Sequence, residues 1–153
     1  MKAATQRLLV LLTLAVWIAS LCFQTLTTSF FSQNGDAPLG WTLLEWGWTG
    51  LLAGYLDWLA NPILLVVLMW VWIGGLHRTI GLAMIVFLFL TVIANLTRSE
   101  ILANEAGSTE PITHWYAGFY LWLVSLGLAA ILGAVRFKQS SKSILPSRNE
   151  FKA

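Results

Sequence analysis

Residues 62–96, PILLVVLMWVWIGGLHRTIGLAMIVFLFLTVIANL, decide the fold of this chain. Two apolar runs, Pro62–Leu76 and Thr79–Leu96, are separated by His77 and Arg78, and Arg78 is the single Asp, Glu, Lys or Arg in the stretch. A hydrocarbon core of ~30 Å is crossed by about 20 residues of helix, so uncharged runs of this kind read as membrane spans. The Gly74-Gly75-Leu76-His77-Arg78 turn is short enough to make the two spans an antiparallel hairpin. Asn61 is a good helix cap and Pro62 suits the first helical position, so a new helix is expected to start there. From Pro62 to His77 that helix spans only ~24 Å at 1.5 Å per residue. The shortfall predicts that the preceding segment dips into the bilayer and completes the crossing.

Two further runs, Leu8–Thr28 and Tyr116–Val135, bring the expected spans to four. Charge then segregates. Lys2, Arg7, Arg78, Arg136, Lys138, Lys142, Arg148, Lys152 and Glu150 share one side, at a net +7. Asp36, Glu45, Asp57, Glu100, Glu105, Glu110 and Arg98 share the other, at −5. Cytoplasmic loops are enriched in Lys and Arg, which predicts both termini in the cytoplasm. With 58% hydrophobic and 10% charged residues, the 153-residue chain is far from the composition of a soluble domain, where about a quarter of residues are charged. The fold class expected is an all-α membrane protein, with one transmembrane domain over residues 1–136 and a basic, disordered cytoplasmic tail over 137–153. The basic residues lie at helix ends and in the tail, where they set topology beside anionic headgroups; nucleic acid is not an expected partner. The first run is too long for a cleaved signal peptide and reads as a retained anchor. Cys22 is the single cysteine, which excludes an intrachain disulfide.

Residues 39–60 are the unusual part. The segment is apolar yet carries Glu45, Asp57 and four tryptophans, Trp41, Trp46, Trp48 and Trp58. Wound as a helix, Thr42, Glu45, Thr49, Ala53 and Asp57 trace a narrow polar or small stripe. Such a stripe with abundant indole suits a helix at the membrane–water boundary, and Trp115 belongs to the same interfacial set. Gly50 and Gly54, four apart, allow close backbone approach, so a short helix pair or a re-entrant hairpin is the competing form. In the last span Ser125, Ala129 and Gly133 recur every four residues, the spacing of a helix–helix contact face. Thr97-Arg98-Ser99-Glu100 matches a capping box and predicts a short helix through Glu105, broken at Gly107–Pro111, with Thr113 capping the last span.

No constellation identifies a chemistry. His77 and His114 lie at opposite membrane faces, so neither a metal nor a haem site is expected, and no cofactor is implied. The spans carry no ionisable group near their centres, which disfavours ion-coupled transport. The least weak cluster is Glu45, Asp57, Arg98 and His114 on the outer side, where Glu45, flanked by Leu44 and Trp46, must be hydrated, paired or neutral.

Gly40-Trp41-Thr42-Leu43-Leu44-Glu45-Trp46-Gly47-Trp48, Trp58-Leu59-Ala60-Asn61-Pro62 and Trp115-Tyr116-Ala117-Gly118-Phe119-Tyr120-Leu121-Trp122-Leu123 resemble small four-span proteins of bacterial inner membranes. Glu45 departs from the pattern, where an apolar residue is expected. The resemblance implies a fold and a location and carries over no catalytic residue. The expected function is a non-enzymatic membrane interaction protein, an accessory subunit or an immunity or exclusion protein, contacting lipid and another membrane protein or a second copy of itself. The alternative is a homo-oligomeric channel or small-molecule permease with an acidic outer vestibule. A less favoured third reading is an enzyme acting on lipid or quinone through Glu45, Asp57 or His114.

Overall fold

The computed structural model describes residues 3–29, 37–52, 54–102 and 108–142. In chain order the elements are α1 (Ala3–Cys22), β1 (Leu26–Thr28), α2 (Gly40–Trp46), α3 (Thr49–Leu52), a 3₁₀ turn (Asp57–Leu59), α4 (Ala60–Ile73), α5 (Arg78–Leu96), β2 (Glu100–Leu102), β3 (Thr109–Trp115) and α6 (Ala117–Lys142). Three helices are long and apolar enough to cross a membrane: Ala3–Cys22, Arg78–Leu96 and Ala117–Gln139. The apolar helix over Asp57–Ile73 is shorter. By helix length and composition the chain is a multi-pass membrane protein.

Helix α6 is the hub, packing on α1, α4 and α5. Val10, Leu64, Val67, Leu88, Leu126 and Ala129 meet in the core between them. Ser125, Ala129 and Gly133 are all buried. A Cβ on Gly133 would lie 2.9 Å from Ile85 and 3.1 Å from Val67, so the absent side chain is what lets α4 and α5 close on α6. The small-residue stripe is therefore occupied inside the chain. The outward faces carry Leu8, Leu90 and Ile131, which would be a liability in water and suit contact with lipid tails.

Helix α4 stops at Ile73 because Gly74 and Gly75 take φ of +90° and +87°, a region that side chains disfavour. Around this turn the basic residues gather. Arg7 lies 5.6 Å from the Trp72 ring, Arg78 lies 4.4 Å from Phe137, and Arg136 packs against Gly74.

The other end departs from the all-α expectation. β1, β3 and β2 form a three-stranded antiparallel sheet in that order, with Leu26 opposite Trp115 and Glu100 opposite Pro111. The first helix ends at Cys22, and Leu26–Thr28 are strand rather than the last turns of a span. Thr25, Thr27 and Thr28 are β-branched, and pairing with β3 supplies the hydrogen bonds that backbone near a bilayer needs. The capping-box helix is absent from its start: Glu100 accepts a 2.8 Å hydrogen bond from Thr109 Oγ1 across the sheet, and Thr97 Oγ1 donates to Ala94 O. Residues 103–107, over which that helix was to continue, lie outside the described residues. Thr113 sits within β3, donating to Thr27 O, and the last helix begins at Ala117. Pro111 is tolerated in β3 because β1 covers only Ile112–Trp115 and β2 only Thr109–Pro111, leaving each half an edge on one side.

Two more expectations change. The 39–60 segment is not one helix: α2 and α3 are separated at Gly47–Trp48, and Gly54 turns the chain with φ +85°. Gly50 and Gly54 consequently share no helical face, and Glu45 and Asp57 fall on different elements. The last helix runs past Phe137 to Lys142, held there in part by the Arg78–Phe137 contact; residues 143–153 lie outside the described residues.

Candidate functional site

Asn61 does not cap its helix. α4 begins one residue earlier, at Ala60, with no side-chain cap, and Asn61 points into the protein, 9% exposed. Pro62 has no N–H, which removes the usual donor to the Trp58 carbonyl four residues back. Asn61 Nδ2 takes that role, donating to Trp58 O at 3.2 Å. Its Oδ1 accepts from the indole of Trp17 on α1 at 3.1 Å and from that of Trp122 on α6 at 3.0 Å. One amide thus joins three helices and satisfies two indole donors that an apolar core would leave orphaned.

Directly before α4, Asp57 organises a second polar group. Its Oδ2 lies 2.5 Å from Arg98 Nη2, and its Oδ1 accepts from Asn95 Nδ2 at 3.0 Å. Asn95 Nδ2 also donates to Thr91 O at 2.9 Å. The Arg98 guanidinium stands 5.5 Å from the Tyr55 ring, and both charged side chains are about three-quarters buried. The Asp57–Arg98 pair therefore ties the 3₁₀ turn to the end of α5. Trp58 fastens the same turn to α2 by donating to Leu44 O at 2.8 Å.

Between these groups lies a cavity of about 300 Å³. Its floor is Asn61 and Trp122, its polar wall Asp57, Asn95 and Arg98, and its cover α2, α3 and the turn after them. The ends of α1 and the start of α6 close it, with Phe119 stacked on Trp115 at 3.8 Å between ring centres. Backbone hydrogen bonds fix this closure: Gly40 N donates to Phe23 O at 3.0 Å and Gly118 N to Gln24 O at 2.9 Å. Both glycines are required, since a Cβ would fall 2.3 Å from Ser20 O at Gly40 and 2.6 Å from Gln24 O at Gly118.

Of the four clustered residues expected from sequence, the structure joins Asp57 and Arg98 and leaves the others apart. Glu45 is exposed on α2 and makes no hydrogen bond or ion pair with a described residue. His114 is exposed on β3, in register with Thr27, and packs edge-on against Tyr116 at 4.6 Å. Among the interfacial aromatics, Trp41, Trp46 and Trp48 are 59%, 60% and 47% exposed. Trp58 and Trp115 are instead partly buried at the cavity wall. Among the described residues no group of three His, Cys, Asp or Glu is placed to hold a metal.

The pairing of Asn95 with Asp57 and the role of Asn61 as acceptor for two indoles were missed from sequence. The available signal was Trp17 and Trp122 inside apolar spans, each with a donor that needs a buried acceptor. Comparison with protein-family models, with curated proteins and with solved structures finds no match.

Proposed function

We propose that this is a non-enzymatic integral membrane interaction protein that works by binding at the sheet end of its helices, through the Trp-rich element and the cavity beneath it. The cavity carries the reading. It is small, mainly apolar, and has a few convergent polar groups at one wall, the composition of sites that receive small molecules. Three largely exposed indoles on the cover suit a membrane–water boundary, where they hold the element at headgroup level.

In this reading the protein lies in a bacterial inner membrane with four spans and both termini cytoplasmic. Segregation of Arg7, Arg78, Arg136 and Lys138 to the end opposite Asp57, Glu100 and Glu110 supports that orientation. The fourth crossing is made by Asp57–Ile73, about 25 Å of chain at helical rise, completed by the Trp-rich element. Self-association through the α6 stripe has little support, because those residues are buried against α4 and α5. An acidic channel vestibule has little either, since Asp57 is neutralised by Arg98 and Glu45 stands apart.

The test is the composition of particles extracted in native nanodiscs, wild type against Gly50→Leu. Gly50 lines the cavity, and a Cβ there meets only Tyr55 Cβ at 3.5 Å, an ordinary contact, so the leucine fills space without forcing the backbone. A guest at fixed stoichiometry that is lost in Gly50→Leu is the expected result. Identical protein and small-molecule content in both particles would overturn the reading.

A further inference from the structure

We infer that the cavity takes the uncharged, planar, hydrogen-bonding head of a lipid-soluble amphiphile, the chemistry of a quinone or quinol. The inference rests on the binding reading above and names the class of guest. Three observations lead to it.

The first is charge. Asp57 and Arg98 are the only acid and base among the described residues lining the cavity, and they are paired, so the wall is net neutral. An anionic head would need a surplus cation there and a cationic head a surplus acid; neither is offered. A charged head would also be desolvated among apolar groups without compensation.

The second is an unused acceptor. Asn95 is 5% exposed, and its Nδ2 is committed to Asp57 Oδ1 and Thr91 O. Its Oδ1 accepts no hydrogen bond from a described residue and is not among the fully buried unpaired atoms, so it keeps an accessible face in a residue that lines the cavity. An accessible amide oxygen without a protein donor can accept from a hydroxyl-bearing guest. Beside it Arg98 has five N–H donors in a fixed fork, more than Asp57 can engage, and the remainder can donate to a carbonyl. A donor and an acceptor side by side match a head that presents carbonyl in one redox form and hydroxyl in the other.

The third is shape. Trp46, Trp58, Trp115, Phe119 and Trp122 contribute ring surface to the lining. Flat aromatic walls favour a flat guest, through stacked or edge-on contacts with ring centres about 4.5–7 Å apart. At about 300 Å³ the cavity is at the small end for ligand sites, enough for a head group whose tail remains in the lipid.

The experiment is titration of decylubiquinone into the purified full chain in phosphatidylcholine nanodiscs, read by tryptophan fluorescence. Quinones quench indoles on contact, and four of the cavity residues are tryptophans. The expected result is saturable quenching at one quinone per chain. Gly50→Leu should weaken it at least roughly tenfold, the loss of one good pocket contact's worth of affinity. Asn95→Leu should weaken binding of the reduced, hydroxyl form more than of the oxidised form. Quenching that rises linearly and equally in empty-cavity and filled-cavity proteins would overturn the inference. Saturable binding of oleate in its place would overturn the ligand class and leave the binding reading intact. The wild-type stoichiometry decides the question even where a variant fails to fold.

Discussion

Replacing Asn61 with leucine tests the central polar knot most directly. Leucine keeps the γ-branched skeleton with methyls in place of the amide oxygen and nitrogen, so the change removes three hydrogen bonds without opening a cavity. The lost contacts are those from Trp17 and Trp122 to Oδ1 and the one from Nδ2 to Trp58 O. Side-chain hydrogen bonds between membrane helices average ~0.6 kcal/mol and reach ~1.7. Three of them, with two partly buried indoles orphaned, amount to about 2–3 kcal/mol. At roughly 2–4 °C per kcal/mol for a chain of this size, the thermal midpoint should fall by about 4–12 °C. The assay is retention of the monodisperse size-exclusion peak after heating in detergent, which does not depend on indole fluorescence. Trp17→Phe and Trp122→Phe each remove one bond, and double-mutant cycles with Asn61→Leu should give coupling energies of about 0.5–1.5 kcal/mol per pair. A midpoint within about 1 °C of wild type, with couplings near zero, would refute the claim that Asn61 joins the three helices.

Other outcomes follow from the same packing. Gly133→Leu should destabilise the fold by about 1–3 kcal/mol through overpacking against Ile85 and Val67, while mass measured by light scattering stays unchanged. A change in oligomeric mass without loss of stability would place that face at an external interface instead. Gly74→Ala should cost about 1–3 kcal/mol, because φ +90° with ψ −161° is a region open essentially only to glycine, and thermal unfolding of the variant measures it. For orientation, a Cys22→Ser background carrying Glu100→Cys should react with a membrane-impermeant maleimide in intact cells. Lys138→Cys in the same background should react only after permeabilisation, and the reverse pattern would invert the topology.

Apolar runs and breakers made much of the architecture legible from sequence alone. Arg78–Leu96 starts one residue before the expected span and ends at the same leucine, because lipid demands unbroken apolar helix and the Gly74-Gly75 pair cannot extend one. The clustering of Arg7, Arg78 and Arg136 at one end was equally readable, since it follows from where the runs stop. The sheet was not. Leu26–Thr28 is indistinguishable by hydropathy from a helix end, and its strand state depends on Trp115, His114 and Ile112 arriving from nearly ninety residues away. Likewise Thr97-Arg98-Ser99-Glu100 is locally a helix start until Thr109 competes for the Glu100 carboxylate.

The candidate site shows the same division. That Asp57 and Arg98 belong to one polar cluster followed from charge on one side of the spans. Which members meet was decided by tertiary structure: breaks at Gly47–Trp48 and at Gly54 divide the helix that would have carried Glu45 and Asp57 on one stripe, leaving Glu45 in the open and Asp57 against Arg98. The sequence by itself determined that this chain is a membrane protein with charge sorted to its two ends, because hydrophobic length and charge act locally along the chain. Only the tertiary structure decided that Asn61, Asn95 and four of the tryptophans line one half-open cavity, because hydrogen bonds between distant helices have no local signature.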